Sequence, residues 1–577
     1  FLLIYMCPIQ IPSQLCLNIC YISYINKNLF DNIIMEQNIK FIIAQFNAVV
    51  GDIEGNTNRI IDIIVNNREL NCIKIFVFPE LALCGYLPED LLFRSDFKLS
   101  VQKAIDKITS SVESNEYLIL GAPNYSNNNS QIWNSAYVIN NKSIKYIYNK
   151  QILPNYGVFD EKRYFSNGDK NLILDIEGNR ICIMICEDLW NFSSLFEKKL
   201  DNIDFLVSIN ASPYENSKNS ERIFFSKKIS IKYKCNLVYV NTIGGQDEIV
   251  FDGSSFLINR DGNLEYHCKK FSEDIYQFSI CKKEFSLDVI KTSDVNYNQY
   301  MDLYEVLKLG TYDYIRKSNF NGVLLGLSGG IDSALTLALA SDIFEKDNIE
   351  AVLLPSIYTS DLSILLAEEQ CNLLGIKYSS ISIKEINDII NNALEPRFFG
   401  LPQDVTEENI QARIRGLLLM AISNKSKKLL LTTGNKSELA VGYSTLYGDM
   451  SGSFAPLKDI YKTEVYKLAE YRNSVSANIP EAVIDRMPTA ELSHDQYDID
   501  TLPQYDILDV ILKSFIEDEK TLDEICLMGY EKNLVSNIIN MVVKNEYKRR
   551  QYAPGVKVSS KSFGKDRRFP IISQFEY

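Results

Sequence analysis

Histidine is almost missing from this chain: there are two in 577 residues, His267 and His494. That excludes a His-rich zinc cage and leaves two positions on which a Ser-His-Asp triad could be built. Acid–base work therefore falls mainly to carboxylates, lysines, tyrosines and cysteines. Cys-x-x-Cys pairs are absent although there are twelve cysteines, so reduced thiols in a cytoplasmic setting are expected rather than a disulfide framework. No run of about 20 uncharged apolar residues occurs, and no membrane span is predicted. Positive charge is in deficit. A net charge of −14 excludes a general grip on nucleic acid and leaves room only for a local basic patch.

What is present is an ordinary globular composition, 46% hydrophobic and 23% charged, in a chain long enough for more than one domain. Residues 1–34 stand apart. They begin without Met, carry Cys7, Cys16 and Cys20, and show neither a basic start nor a small-residue cleavage site. Met35 then leads directly into an apolar strand. The expectation is that Met35 is the natural start, with 1–34 an extension, 35–285 a first domain and 286–577 a second.

The second domain is organised around one stretch. Apolar residues 323–327 read as a buried strand, Ser328-Gly329-Gly330 as a tight turn, and 332–344 as a helix. Strand, glycine turn and helix aim backbone N–H groups at an anion. The Lys of a Walker A loop is lacking. A structural reading also exists, a strand–helix turn with Asp332 near an N-cap. Further helices are expected at 299–317, 362–374 and 409–422, and strands at 349–354 and 429–431. Strands alternating with helices imply a doubly wound parallel sheet with its ligand at the strands' C-terminal ends.

In the first half, apolar runs at 41–46, 74–78, 117–120, 181–185, 205–209 and 237–240 read as strands, enough for two packed sheets. A hairpin is expected across Arg260-Asp261-Gly262-Asn263, and 275–298 as the crossing between domains. Glu80, Lys150 and Cys186 each sit at or just beyond a strand. Alone, each has a dull explanation, such as a solvated face or turn residue for the glutamate and a small core thiol for the cysteine. Together they supply a thiol amidase without histidine, with Glu80 as base, Cys186 as nucleophile and Lys150 for the oxyanion. Glu187 and Asp188, if they point inward, disfavour a thiolate.

These residues carry a resemblance. P-E-L-x-L-x-G-Y from Pro79, K-x-x-L-P-N-Y-x-V-F-D-E-x-R-Y-F from Lys150 and C-E-D-x-W from Cys186 resemble the nitrilase (carbon–nitrogen hydrolase) superfamily. The resemblance implies an αββα sandwich and a Glu80, Lys150, Cys186 triad assisted by Glu161. It further implies glutamine contacts at Tyr156, Ser212 and Lys218. The S-G-G-x-D-S string resembles the loop of ATP pyrophosphatases, and the second half as a whole resembles the NAD synthetase domain. That implies ATP contacts at Gly326, Leu327, Ser328, Gly329, Gly330, Ile331, Asp332, Ser333, Thr433, Lys462 and Thr489. It implies Mg²⁺ ligands at Asp332 and Glu438, and deamido-NAD⁺ contacts at Asn409, Arg413, Glu438 and Lys548.

Leu446 departs from the smaller ammonia-dependent relatives, which carry Lys there. Basic residues cluster at 548–550 and 565–568, and are expected to meet an anionic ligand. The order of the halves is similar to the glutamine-dependent NAD synthetase family. The resemblance implies ammonia release from glutamine, an acyl-adenylate, a protected route for ammonia, and a homo-oligomer, either a dimer through the second domain or an octamer. A synthetase that amidates another nucleotide, or a nucleotide-binding scaffold without activity, stays open at this point.

Overall fold

The apolar strands of the first half are buried on both faces, which is why they read as continuous runs rather than alternating ones. In the strand Ile39–Gln45, Phe41 and Ile43 point into a core shared with Ile181, Ile183, Phe205 and Val207. Ile42 and Ala44 point the other way, against Ile60 and Ile64 of the helix Ile53–Asn66 and Ile105 and Ile108 of the helix Ser95–Ser111. The computed structural model describes residues 39–69, 71–126, 130–196, 203–281, 283–286, 298–494 and 496–575. The expected extension, residues 1–34, lies outside these, as do residues 287–297 of the expected crossing.

Two sheets stack in the first half. One runs in the order Glu284–Ser286, Asp274–Cys281, Ile39–Gln45, Ile73–Val77, Glu116–Tyr125, Ile132–Asn140, Ser143–Asn149. The other runs Leu264–His267, Phe256–Ile258, Asn236–Asn241, Phe205–Asn210, Asn179–Ile185, Leu172–Ile176. Helices cover the first sheet, and the helix Lys218–Tyr233 packs on the second. This is the αββα sandwich that the resemblance implied, and the hairpin at Arg260–Asn263 is present. One expectation fails. The segment from Ile275 is not a crossing: Asp274–Cys281 pairs antiparallel with Ile39–Gln45 in the body of the sheet. Its Tyr276, Phe278 and Ile280 are buried at every second position while Ile275 is half exposed, the period of a strand.

The second half holds a four-stranded parallel sheet in the order Tyr378–Ser380, Ile349–Leu353, Val323–Gly326, Leu429–Leu431. The chain steps one way from Val323–Gly326 to Ile349–Leu353 and then returns to the opposite side. That switch opens a crevice at the C-terminal ends, where the Ser-Gly-Gly turn lies. The sheet is doubly wound as expected. The expected helix at 409–422 runs longer, Val405–Ser426, because Asp404 and Glu407 form a capping box at its start.

The halves meet through a hairpin, Ile243–Gln246 with Ile249–Asp252, which packs on the helix Gln299–Lys317. Asp313 of that helix accepts from the Gly245 amide and from Asn47 Nδ2, both at 2.8 Å. Lys317 Nζ donates to the Gly245 carbonyl at 2.8 Å. A Cβ at Gly245 would stand 3.1 Å from the Gly310 Cα, so glycine at both positions permits the close approach.

Candidate active sites

At one end of the sandwich the two sheets contribute to one buried cluster. Glu80 follows the strand Ile73–Val77, Lys150 follows Ser143–Asn149, and Cys186 follows Asn179–Ile185. Glu161 opens the short helix Glu161–Tyr164. All four are buried. Lys150 Nζ donates to Glu80 Oε1 at 2.7 Å and to Glu161 Oε1 at 2.8 Å. Glu80 also accepts from Asn134 Nδ2 at 2.7 Å and from the Ala211 amide of the second sheet at 2.8 Å. Tyr86 donates its hydroxyl to Glu161 at 2.7 Å.

The electrostatics follow. Burial pulls the Lys150 ammonium down, but the carboxylates of Glu161 and Glu80 outweigh it and hold the proton on. Burial pushes Glu161 up to about 7. Burial and then the Glu80 charge push the Cys186 thiol well above the ordinary thiol range, with Lys150 opposing. The thiol is therefore protonated at rest.

Cys186 stands on an elbow with φ +48, between its strand and the short helix Glu187–Trp190. Its neighbours in sequence divide. Glu187 adds a small negative influence at the thiol. Asp188 does not point into the site, contrary to the inward option. Fully buried, it accepts from the amides of Gln151 and Ile152 at 3.0 and 2.7 Å and from the Tyr148 hydroxyl at 2.8 Å. It thus pins the chain on either side of Lys150 to the cysteine elbow. Asp188→Ala orphans one buried donor, the Tyr148 hydroxyl, at roughly 1–3 kcal/mol, and two half-buried amides that cost less. The expected result is a loss of about 2–4 kcal/mol in urea unfolding of the first half.

Two of the three positions implied for glutamine flank that elbow. Tyr156, largely exposed, donates to Glu187 Oε2 at 2.9 Å. Lys218 Nζ lies 5.1 Å from the centre of the Trp190 ring. Ser212 is buried, with its amide donating to Asn241 Oδ1 at 2.9 Å. A residue that the sequence did not reveal holds it. The buried Arg222 donates to Ser212 Oγ at 3.1 Å, to the Ser212 carbonyl at 2.8 Å and to Asp252 at 2.8 Å.

In the second half a cavity of about 480 Å³ opens at the sheet's switch point. Gly326, Leu327, Ser328, Gly330, Ile331, Asp332 and Ser333 line it, as do Thr433, Glu438, Lys462, Thr489, Asn409 and Lys548. Gly329 stays behind the lining. Its φ is +79, and a Cβ there would lie 2.3 Å from the Ser363 carbonyl oxygen, so only glycine fits the turn. Ser328 and Ser333 are tied Oγ to Oγ at 3.1 Å. Lys462 Nζ lies 2.5 Å from Asp332 Oδ2 and 3.0 Å from Glu438 Oε1. Asn435 joins the same pair, donating to Asp332 at 2.9 Å and accepting from the Glu438 amide at 3.1 Å. Burial pushes Glu438 up to about 7, with Lys462 opposing and Asp332 adding.

Three of the four positions implied for the dinucleotide converge on one loop, residues 442–446, while the fourth, Glu438, pairs with Lys462. Asn409 accepts from Thr445 Oγ1 at 2.8 Å, and Lys548 donates to the Gly442 and Ser444 carbonyls at 2.7 Å. Arg413 is exposed and absent from the lining, and donates to the Leu446 carbonyl at 3.2 Å.

A carbon–nitrogen hydrolase family model matches residues 43–285, and an NAD synthase model matches 303–552. The glutamine-dependent NAD(+) synthetase of Acinetobacter baylyi is 42% identical over 93% of this chain and 99% of its own. That of Aquifex aeolicus is 41% identical over 92% of this chain and 99% of its own. This chain belongs to the glutamine-dependent NAD(+) synthetase family. A solved structure of the family from Acinetobacter baumannii, in complex with ADP, superposes with a TM-score of 0.75 at 40% identity, over 93% of this chain and 98% of that one.

Within this family member the basic cluster near the C-terminus corrects the sequence reading. Arg549, Arg550 and Arg567 all pair with Glu546, at 2.9, 2.9 and 2.7 Å. Arg568 pairs with Asp160 of the first half at 2.9 Å, and Lys565 with Glu89. Of the cluster, Lys548 alone lines the cavity. Most of these charges serve packing and the contact between halves, because each already has a carboxylate partner.

Proposed function

We propose that this chain converts deamido-NAD⁺ to NAD⁺, using ATP and ammonia released from L-glutamine. The observation that carries the reading is the pairing of two complete sites in one chain: a buried Glu80–Lys150–Glu161 cluster beside Cys186, and an S-G-G-x-D-S loop above Lys462.

In the first site Cys186 Sγ attacks the glutamine carboxamide carbon while Glu80 accepts the thiol proton. Lys150, fixed between two carboxylates, donates to the developing oxyanion. Glu80 returns the proton to the leaving nitrogen, and ammonia departs. Glu80 then activates water, which hydrolyses the thioester to glutamate. Tyr156, Ser212 and Lys218 hold the substrate's polar end.

In the second site the nicotinate carboxylate attacks the α-phosphorus of ATP and pyrophosphate leaves. The loop amides, Ser328, Ser333, Thr433 and Lys462 bear the phosphate charge, and Asn409, Glu438 and Lys548 hold the dinucleotide. Ammonia attacks the acyl carbon and AMP leaves. Asp332 and Glu438 fit Mg²⁺. Two half-buried carboxylates stand beside the phosphate loop on either side of Lys462, and this ion takes carboxylate and phosphate oxygens together. Among the described residues no set of three acidic, histidine or cysteine groups forms a metal cage, which fits an ion that arrives with the nucleotide. Bound there, Mg²⁺ supplies charge neutralisation on the phosphates.

Eight described cysteines are free thiols, which supports a cytoplasmic location. The second half exposes Ile389, Phe399, Leu401, Val405 and Leu417, apolar positions of the kind that a dimer through that half would cover. The test is NAD⁺ and AMP formation from deamido-NAD⁺, ATP and Mg²⁺ with either glutamine or ammonium, against xanthosine monophosphate as the alternative acceptor. Formation of NAD⁺ from both nitrogen sources is expected. No product from deamido-NAD⁺ with ample ammonium overturns the reading.

A further inference from the structure

Most cations that line the second cavity are already engaged. Lys462 lies between Asp332 and Glu438. Arg486 donates to Glu491 at 3.2 Å and to Thr489 at 2.9 Å. Lys548 gives its ammonium to two carbonyls of the 442–446 loop. Arg415 differs. It stands on the helix Val405–Ser426, lines the same cavity, and donates through Nε to the Leu354 carbonyl at 3.0 Å. Leu354 directly follows the strand Ile349–Leu353, so the guanidinium is pinned at the C-terminal edge of the sheet. Burial holds it down to about 10; the carboxylates it feels are Glu491 and Asp449, and neither forms an ion pair with it.

Glu491 and Asp449 line the same cavity as Arg415 and belong to two different parts of it. Glu491 accepts from the hydroxyls of Ser360 and Ser363 at 2.8 and 2.7 Å. The Ser363 carbonyl is the atom that crowds Gly329, so Glu491 marks the phosphate-loop side. Asp449 accepts from the Thr445 amide at 2.7 Å, in the loop held by Asn409 and Lys548, and marks the opposite side.

We propose that Arg415 contacts anionic oxygens of both substrates where they meet, the α-phosphate of ATP and the carboxylate that attacks it. This rests on the function proposed above and deepens it. Two anions must approach to bonding distance, and their repulsion is part of the barrier. A guanidinium whose Nε is fixed by Leu354 keeps Nη1 and Nη2 for two oxygens at once. A lysine ammonium is a point charge without the planar fork, so it does not present two parallel donors while a third N–H stays fixed on the carbonyl.

The test uses the full chain with ammonium as nitrogen source. Arg415→Gln is expected to lower kcat for NAD⁺ formation about 100-fold, the scale for removing one preorganised donor from a transition state. Deamido-NAD⁺-dependent AMP formation should fall in parallel, and Arg415→Lys should recover less than a tenth of the loss. Melting temperature and glutamine hydrolysis at the first site report folding; where Arg415→Gln melts early, Arg415→Lys carries the test. An increase in the KM of ATP alone, or of the dinucleotide alone, with kcat intact overturns the shared contact, and so do rates within threefold of wild type. A wild-type chain that makes no NAD⁺ overturns the function itself, a separate outcome.

Discussion

Replacing Cys186 by alanine should reduce glutamine-driven NAD⁺ formation by at least ~10³-fold, since no second nucleophile is available to form the thioester. Ammonium-driven formation should stay within about twofold of wild type, because the second site holds its own catalytic groups. Alanine is the right probe. It removes one sulfur from a buried elbow and leaves the Lys150 ion pairs to Glu80 and Glu161 untouched. Mutating Lys150 instead would leave two buried carboxylates without a cation, a cost of roughly 3–5 kcal/mol that confounds chemistry with folding. Cys182, buried four residues earlier in the same strand, supplies the control: Cys182→Ala should keep both activities. The measurement is NAD⁺ formed per minute with glutamine or ammonium at matched saturation. Loss of both activities in a folded Cys186→Ala protein argues against separable sites.

The strands that were legible in the sequence are those buried on both faces, such as Asn179–Ile185 and Phe205–Asn210. Ile132–Asn140 and Ser143–Asn149 were not, because polar residues interrupt them. Their turn is also disguised. Asn141 and Lys142 both have positive φ, +49 and +53, the backbone of a tight hairpin usually signalled by Asn-Gly. The gathering of Glu80, Lys150 and Cys186 at one end of the sandwich was legible because these residues sit in motifs at strand ends. Asp188 and Arg222 were not, since their partners include backbone groups, and backbone donors and acceptors leave no trace in the residue order. The basic cluster was misread although the sequence held the answer. Glu546 precedes Arg549 and Arg550 by three and four residues, the spacing at which helical side chains pair.

Asp332→Asn should produce the opposite pattern from Cys186→Ala: NAD⁺ formation falls about 100- to 1000-fold with either nitrogen source, the scale for losing a group that organises phosphate charge. Glutamine hydrolysis measured without the other substrates should persist. The change is nearly isosteric. The introduced carboxamide keeps an oxygen to accept from Asn435, which donates to Asp332 at 2.9 Å in the native chain, so the fold around the loop is preserved. What changes is charge. Lys462, 2.5 Å from Asp332 and 3.0 Å from Glu438 in the native chain, would face an amide on one side and shift toward Glu438. That takes the ammonium away from the phosphate loop and cancels the second carboxylate. One substitution thereby weakens both the lysine's placement and the pair's hold on Mg²⁺. Raising Mg²⁺ should restore part of the rate in Asp332→Asn but none in Cys186→Ala with glutamine. Full activity of Asp332→Asn at limiting Mg²⁺ would remove Asp332 from the phosphate site, and with it the argument that the Lys462 cluster is where ATP is cleaved.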